Sequence, residues 1–120
     1  LHLLSRRQRQ MCIRDSYHTV AHDDFSLTLK CAVISLGGLH LFVFPSELGS
    51  DLGIRMKREC PVEGIVCGYT NGYFEYFLPA REYGLSFETE RTQIPQGEPE
   101  RLCDKFCQTT RLLGAADSRL

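Results

Sequence analysis

From Phe25 onward the apolar residues fall on alternate positions: Phe25, Leu27, Leu29, Cys31 and Val33 are separated by Ser26, Thr28, Lys30 and Ala32. Successive side chains of a strand point to opposite sides, so this period of two predicts a strand with one buried face. Gly37-Gly38 follows, a pair suited to a tight hairpin turn. The run Leu39-His40-Leu41-Phe42-Val43-Phe44 then predicts a second strand in the interior of a sheet, because a continuous apolar run implies burial on both faces. Pro45 ends it, having no N–H for the ladder. Here the period changes. Leu48, Leu52 and Met56 recur every four positions and predict a helix over about 47–58, with Ser46 as its N-cap. Arg55, Lys57 and Arg58 stand at the end where the helix dipole favours cations, and Pro61 prevents continuation. A short third strand is expected at 65–69, followed by the Asn71-Gly72 turn signal and an aromatic cluster, Tyr73, Phe74, Tyr76 and Phe77. Residues 78–97 contain Pro79, Gly84, Pro95 and Gly97 and read as mostly irregular, with 87–91 extended. Leu102, Phe106, Thr110 and Leu113 return to helical spacing, with Cys103 and Cys107 widening the stripe, Pro99 near the first turn and Gly114 as the stop.

The order strand, strand, helix, strand, loop, helix predicts an α/β or α+β fold. The connection from Phe44 to Ile65 is about twenty residues, long enough for a crossover between parallel strands. If those strands are parallel neighbours joined by the helix, Glu47 and Tyr76 emerge at the same sheet edge. So few strands leave exposed edges, and the chain reads as the end of a larger domain.

Length and composition narrow this picture without changing it. At 120 residues, 42% hydrophobic and 24% charged, the chain is ordinary globular material for one small domain. A formal net charge of -1 gives no electrostatic basis for a nucleic-acid partner. No apolar run approaches the roughly 18–20 residues of a transmembrane segment. The charge is nevertheless unevenly placed. Residues 1–16 carry Arg6, Arg7, Arg9 and Arg14 against Asp15, a net of +3, and the remainder carries -4. This first stretch lacks apolar periodicity, and its order of apolar and basic residues is the reverse of a secretory signal. The string from Arg6 to Ser16 resembles a translated sequencing-adapter remnant. On that reading residues 1–16 are spurious and make no regular contact with the rest, 17–24 is a junction, 25–113 is the domain piece and 114–120 a tail. The natural sequence then begins near Tyr17 with its upstream part missing, and localisation is not readable.

Several residues carry candidate chemistry. Of the six cysteines, setting Cys12 aside leaves Cys31, Cys60, Cys67, Cys103 and Cys107, an odd set without framework spacing, so five free thiols are expected. Cys103 and Cys107 share a helix face, but a metal site needs further ligands. Glu47 follows a buried strand where α/β proteins place their sites; it reads as a helix-capping carboxylate or as a ligand for a hard or borderline cation. Tyr73 and Tyr76 read as packing residues or, less simply, as a phenolate ligand or polarising hydroxyl. His18 and His22 have metal-like spacing if helical, with Asp23 and Asp24 beside them, but no apolar period supports a helix there. His40 is expected on a sheet face or in the core.

Phe44-Pro45-Ser46-Glu47, the helix, the stretch from Ile65 to Tyr76, and Pro79-Ala80-Arg81-Glu82-Tyr83 together resemble the neutral/alkaline non-lysosomal ceramidase family. That family has Pro-Gly-Glu at a strand end, then a helix, then a strand leading into Asn-x-Tyr-x-x-Tyr. The resemblance covers roughly 25–113. It implies a C-terminal piece of a catalytic domain holding one zinc ion on two His, one Glu and one Tyr, with Glu47 and Tyr76 matching the last two. The implied reaction is hydrolysis of a lipid amide such as ceramide, N-acylsphingosine, to sphingosine and fatty acid. The chain departs from the family in three places. The two His ligands have no counterpart here, Ser46 replaces the usual Gly, and Phe87 stands where a tyrosine facing the reacting carbonyl is common. The alternative is a non-catalytic or redirected homologue that keeps the scaffold for binding. The chain alone is expected to be inactive.

Overall fold

The computed structural model describes residues 11–21 and 26–117, and side chains from 26 to 114. Its main sheet has four strands in the order β1 (Met11–Ala21), β2 (Ser26–Leu36), β3 (Leu39–Val43), β5 (Glu63–Cys67). β1 and β2 are antiparallel, β2 and β3 form a hairpin, and β3 and β5 are parallel. Gly37 takes the hairpin turn at φ 63°, a conformation open to glycine without steric cost. A second sheet of two short parallel strands, β4 (Glu47–Leu48) and β6 (Tyr76–Phe77), continues beyond the ends of β3 and β5. Among the described residues the helices are α1 (Ser50–Glu59), α2 (Phe87–Arg91) and α3 (Glu98–Asp117), with a 3-10 turn at Ala80–Glu82. The α/β or α+β expectation holds, as does the parallel crossover from β3 through α1 to β5.

The predicted alternation in β2 holds from Thr28 to Cys31 and lapses at Ala32, which is buried as well. Leu29, Cys31, Val33 and Ser35 are buried, whereas Thr28 and Lys30 are exposed. Opposite them on β3 stand Phe42, across from Val33, and His40, across from Ser35. This face packs on Leu52 and Met56 of α1 and on Leu102, Cys103, Phe106 and Cys107 of α3. Phe42 and Phe44 both meet Phe106 edge to face, with ring centroids 5.5 and 6.4 Å apart. Burying such side chains contributes about 1.5–3 kcal/mol each relative to exposure. β3 lies inside the sheet as expected, but its other face, Leu39 and Leu41, is only half covered. His40 is buried, with Nε2 3.3 Å from the Ser35 hydroxyl.

Four expectations are corrected. Residues 11–16 do not stand apart: they pair in register with 31–36 as part of β1. Without β1 the outer edge of β2 would be a row of unpaired donors and acceptors, and the segment Tyr17-His18-Thr19-Val20 continues the ladder that covers it. Residues 1–10 lie outside the described residues, as do His22, Asp23 and Asp24, and with them the pairing of His18 with His22; the backbone of His18 itself is in a strand, not a helix. Second, the helix does not begin at Glu47. The Glu47 N–H donates to Glu75 O (2.9 Å) and the Gly49 N–H to Phe77 O (2.8 Å), so 47–48 is a strand, and α1 starts only at Ser50, after Gly49. Ser46 is therefore not its cap. Third, 87–91 is helical: Ser86 O accepts from both the Thr89 N–H and its hydroxyl, with Glu88 and Glu90 in the dipole-favoured first turn. α3 likewise runs through Gly114. Fourth, the cysteines are not all free. Cys60, at the end of α1, forms a disulfide with Cys107 of α3, with Cα atoms 4.6 Å apart. The two lie 47 positions apart, and only the packing of α1 on α3 brings them together.

Candidate functional site

Beyond β3 and β5 the chain segments stay zipped together. Phe44 N–H donates to Cys67 O, Tyr69 N–H to Ser46 O, Thr70 N–H to Phe44 O and Phe74 N–H to Pro45 O, at 2.8–3.2 Å. The buried Ser46 hydroxyl adds a bond to Phe74 O (3.3 Å). Gly68 permits the approach, since a Cβ there would lie 2.8 Å from the Ser46 carbonyl oxygen. The result is a loop, 68–75, laid along 44–47 and delivering Tyr76 opposite Glu47.

Glu47 and Tyr76 are direct cross-strand partners in the parallel pair β4/β6. Neighbouring strands lie about 5 Å apart, and opposite residues point their side chains to the same face. Residues 29 positions apart in sequence thus share one face at one sheet edge. The Tyr76 backbone is held from its far side as well, where the Thr92 hydroxyl donates to Tyr76 O (2.6 Å). Glu47 is exposed and accepts a hydrogen bond from the Tyr69 hydroxyl. Tyr69 stacks on Tyr73, rings nearly parallel and centroids 5.5 Å apart, with 58% and 55% of the two residues exposed.

The backbone here is strained. Among the described residues, Tyr69, Asn71 and Glu75 are the non-glycine residues at positive φ (55°, 67° and 52°), and all lie in this loop. Asn tolerates that region; Tyr and Glu occupy it at a cost that the surrounding hydrogen bonds offset. Electrostatics are acidic. The hydrogen bond to Glu47, then desolvation, push the Tyr69 phenol up to about 12. Desolvation, then the neighbouring Tyr73, Glu47 and Glu88, raise the Tyr76 phenol, against a smaller opposite pull from Arg91. Protein groups alone therefore keep both phenols protonated, and a nearby cation has the sign needed to reverse that.

Nothing in the sequence singles out Tyr69, which reads there as the tail of the third strand. That strand ends at Cys67, and the left-handed turn at Tyr69 that redirects its ring has no signature in a tyrosine. Phe87 lies at the start of α2, 63% exposed, with the Arg91 guanidinium 5.5 Å over its ring. Among the described residues no three His, Cys, Asp or Glu side chains converge as a metal site. A cleft of about 530 Å³ lined by Asp51, Arg55, Arg58, Arg81 and Glu100 shares no residue with the Glu47 face. No described helix is long and apolar enough to cross a membrane.

Neither a family model nor a curated protein sequence matches the chain. Among solved structures, it is similar to the neutral ceramidase from Pseudomonas aeruginosa, with a TM-score of 0.63 and 22% identity over 72% of this chain. The matched stretch is 15% of that protein's length. The likeness is one of fold: this chain has a ceramidase-like fold over the matched region.

Proposed function

We propose that the chain is the C-terminal part of a ceramidase-like, zinc-dependent amide hydrolase that cleaves a lipid amide such as N-acylsphingosine to sphingosine and fatty acid. Glu47 and Tyr76 are two of its zinc ligands. The observation that carries this reading is their pairing across β4 and β6, which puts a carboxylate and a phenol on one face of one sheet edge. The donor set suits zinc, which accepts carboxylate oxygen at about 2.0–2.2 Å. Glu47 supplies an anionic oxygen and Tyr76 a weaker one, and the strained loop between them is the kind of backbone that persists where function requires it.

Zinc, when bound, supplies Lewis acidity toward a carbonyl and a water molecule. The chain's own residues do the rest. Thr92 and the β4/β6 ladder fix the Tyr76 backbone. The loop 68–75 holds Tyr73 beside the site, and α2 sets Glu88 and Arg91 within electrostatic reach of the Tyr76 phenol. Phe87 favours a second reading, a homologue redirected to binding, because a residue without a hydroxyl opens α2 where the resemblance expects one.

Titrating the 120-residue chain with zinc by calorimetry tests the ligand assignment. Binding is expected to be weak, with one site, and lost in Glu47→Gln and weakened in Tyr76→Phe. Equal binding by wild type and Glu47→Gln overturns it. Recovery of the upstream reading frame separates the two functions: two zinc-ligand histidines there favour the hydrolase.

A further inference from the structure

The Glu47 side chain has three rotatable bonds, is exposed, and sits on a strand of only two residues. Little in β4 itself holds such a carboxylate in one orientation. Tyr69 is a different kind of side chain, with two rotatable bonds and a rigid ring. Its backbone is anchored by the N–H bond to Ser46 O (3.1 Å) and by the next residue's N–H bond to Phe44 O (3.1 Å). Its ring is braced by the parallel stack on Tyr73. The left-handed turn at Tyr69 takes the ring out of the line of β5, and the hydroxyl ends on Glu47 Oε2. A hydroxyl bond to an ionised carboxylate is among the stronger hydrogen bonds and is directional. It leaves the other carboxylate oxygen free to accept.

We infer that Tyr69 is the positioning residue of Glu47: a fixed post that orients the carboxylate before any cation arrives. The inference rests on the proposed ligand role of Glu47 only for its purpose, since the orientation itself needs no metal. Outer partners of this kind, which hydrogen-bond a ligating side chain, typically change metal affinity by about 10–100-fold when removed.

Tyr69→Phe keeps the ring and its stack and deletes only the hydroxyl. Two readouts apply to the full 120-residue chain. In the metal-free protein, three-bond couplings across χ1 of Glu47 are expected to report one rotamer in the wild type and averaging in Tyr69→Phe. The melting midpoint and the amide spectrum outside 44–48 and 67–76 stay in place. With zinc chloride as probe, affinity is expected to fall about 10–100-fold. Unchanged couplings overturn the proposal whatever zinc does, and so does an unchanged zinc affinity in Tyr69→Phe when Glu47→Gln loses binding. Averaged couplings in a chain whose wild type and Glu47→Gln both ignore zinc support the orienting role and sink the metal reading instead. If Tyr69→Phe fails to fold, the unmodified chain decides. A slowly exchanging Tyr69 hydroxyl proton with a cross-relaxation peak to the Glu47 γ protons supports the bond, and a Glu47 side chain averaging over rotamers overturns it.

Discussion

At Gly68 an added Cβ would stand 2.8 Å from the Ser46 carbonyl oxygen, a backbone atom pinned between the Tyr69 N–H and the Phe44–Pro45 segment. It cannot move aside as a flexible side chain does. Gly68→Ala is therefore expected to cost about 1–3 kcal/mol in urea unfolding and to separate the loop from 44–47. An alanine at no measurable cost would mean that the close approach is not needed. The cysteines allow a second test at this scale. Burial, partly offset by Lys105, pushes the Cys31 thiol up to about 11, and burial pushes Cys103 to about 12. The thiolate is the nucleophile, so both are inert at neutral pH. Cys67, only partly buried, is the free thiol expected to react with iodoacetamide before these two, roughly tenfold faster or more by peptide mapping. Of the proposed site, Glu47 and Tyr76 are legible as residues from motif order, whereas Tyr69 is not, because a hydrogen bond between positions 47 and 69 has no local pattern.

At the scale of elements, α1 and α3 are tied by the Cys60–Cys107 disulfide and by the Arg55–Asp104 ion pair at 2.6 Å. The ion pair is exposed enough to contribute little. The disulfide closes a long loop, and its removal as Cys60→Ser with Cys107→Ser is expected to lower stability by about 2–4 kcal/mol. The same loss should follow reduction by dithiothreitol, read as a lower melting midpoint; no change would show that helix packing alone suffices. The segment 78–97 is anchored differently. The Tyr83 hydroxyl donates to Ile94 O (2.6 Å), and burial, then the Glu100 charge, raise its phenol to about 12 from an ordinary 10.0. The folded state thus holds this proton more tightly than the unfolded chain. Its contribution is whole below about pH 10 and is lost as pH rises toward 12. Tyr83→Phe should accordingly show a shallower decline of unfolding free energy between those values. β2 is legible from a period of two, β3 and β5 from short apolar runs, and the two long helices from a spacing of about four, whereas β1, β4 and β6 carry no such pattern. The start of α1 is not, because Glu47 and Leu48 give their backbones to a strand almost thirty residues away.

At the scale of the whole molecule, the described residues form a sheet covered by helices on one face, with no strand among them on the outer edge of β5. Such an arrangement matches 15% of a much longer ceramidase chain. With only Glu47 and Tyr76 of the four implied ligands, the 120-residue chain is expected to release no fatty acid from a fluorescent ceramide, with or without added zinc. Metal-dependent turnover by the purified chain would overturn the reading of it as part of a site.

The sequence by itself determined the class of fold, the two strands flanking Gly37-Gly38, and the buried faces of β2 and α3, since the elements follow from patterns within a dozen residues, and it allowed the crossover by its length. It also placed Glu47 at a strand end. What only the tertiary structure decided is long-range. The pairing of β1 with an open edge, the union of Cys60 with Cys107, and the meeting of Glu47 with Tyr76 and Tyr69 join residues far apart in the chain. Local pattern reports which face a residue prefers to bury; which distant residue meets it there depends on how the elements pack, and that is a property of the whole chain.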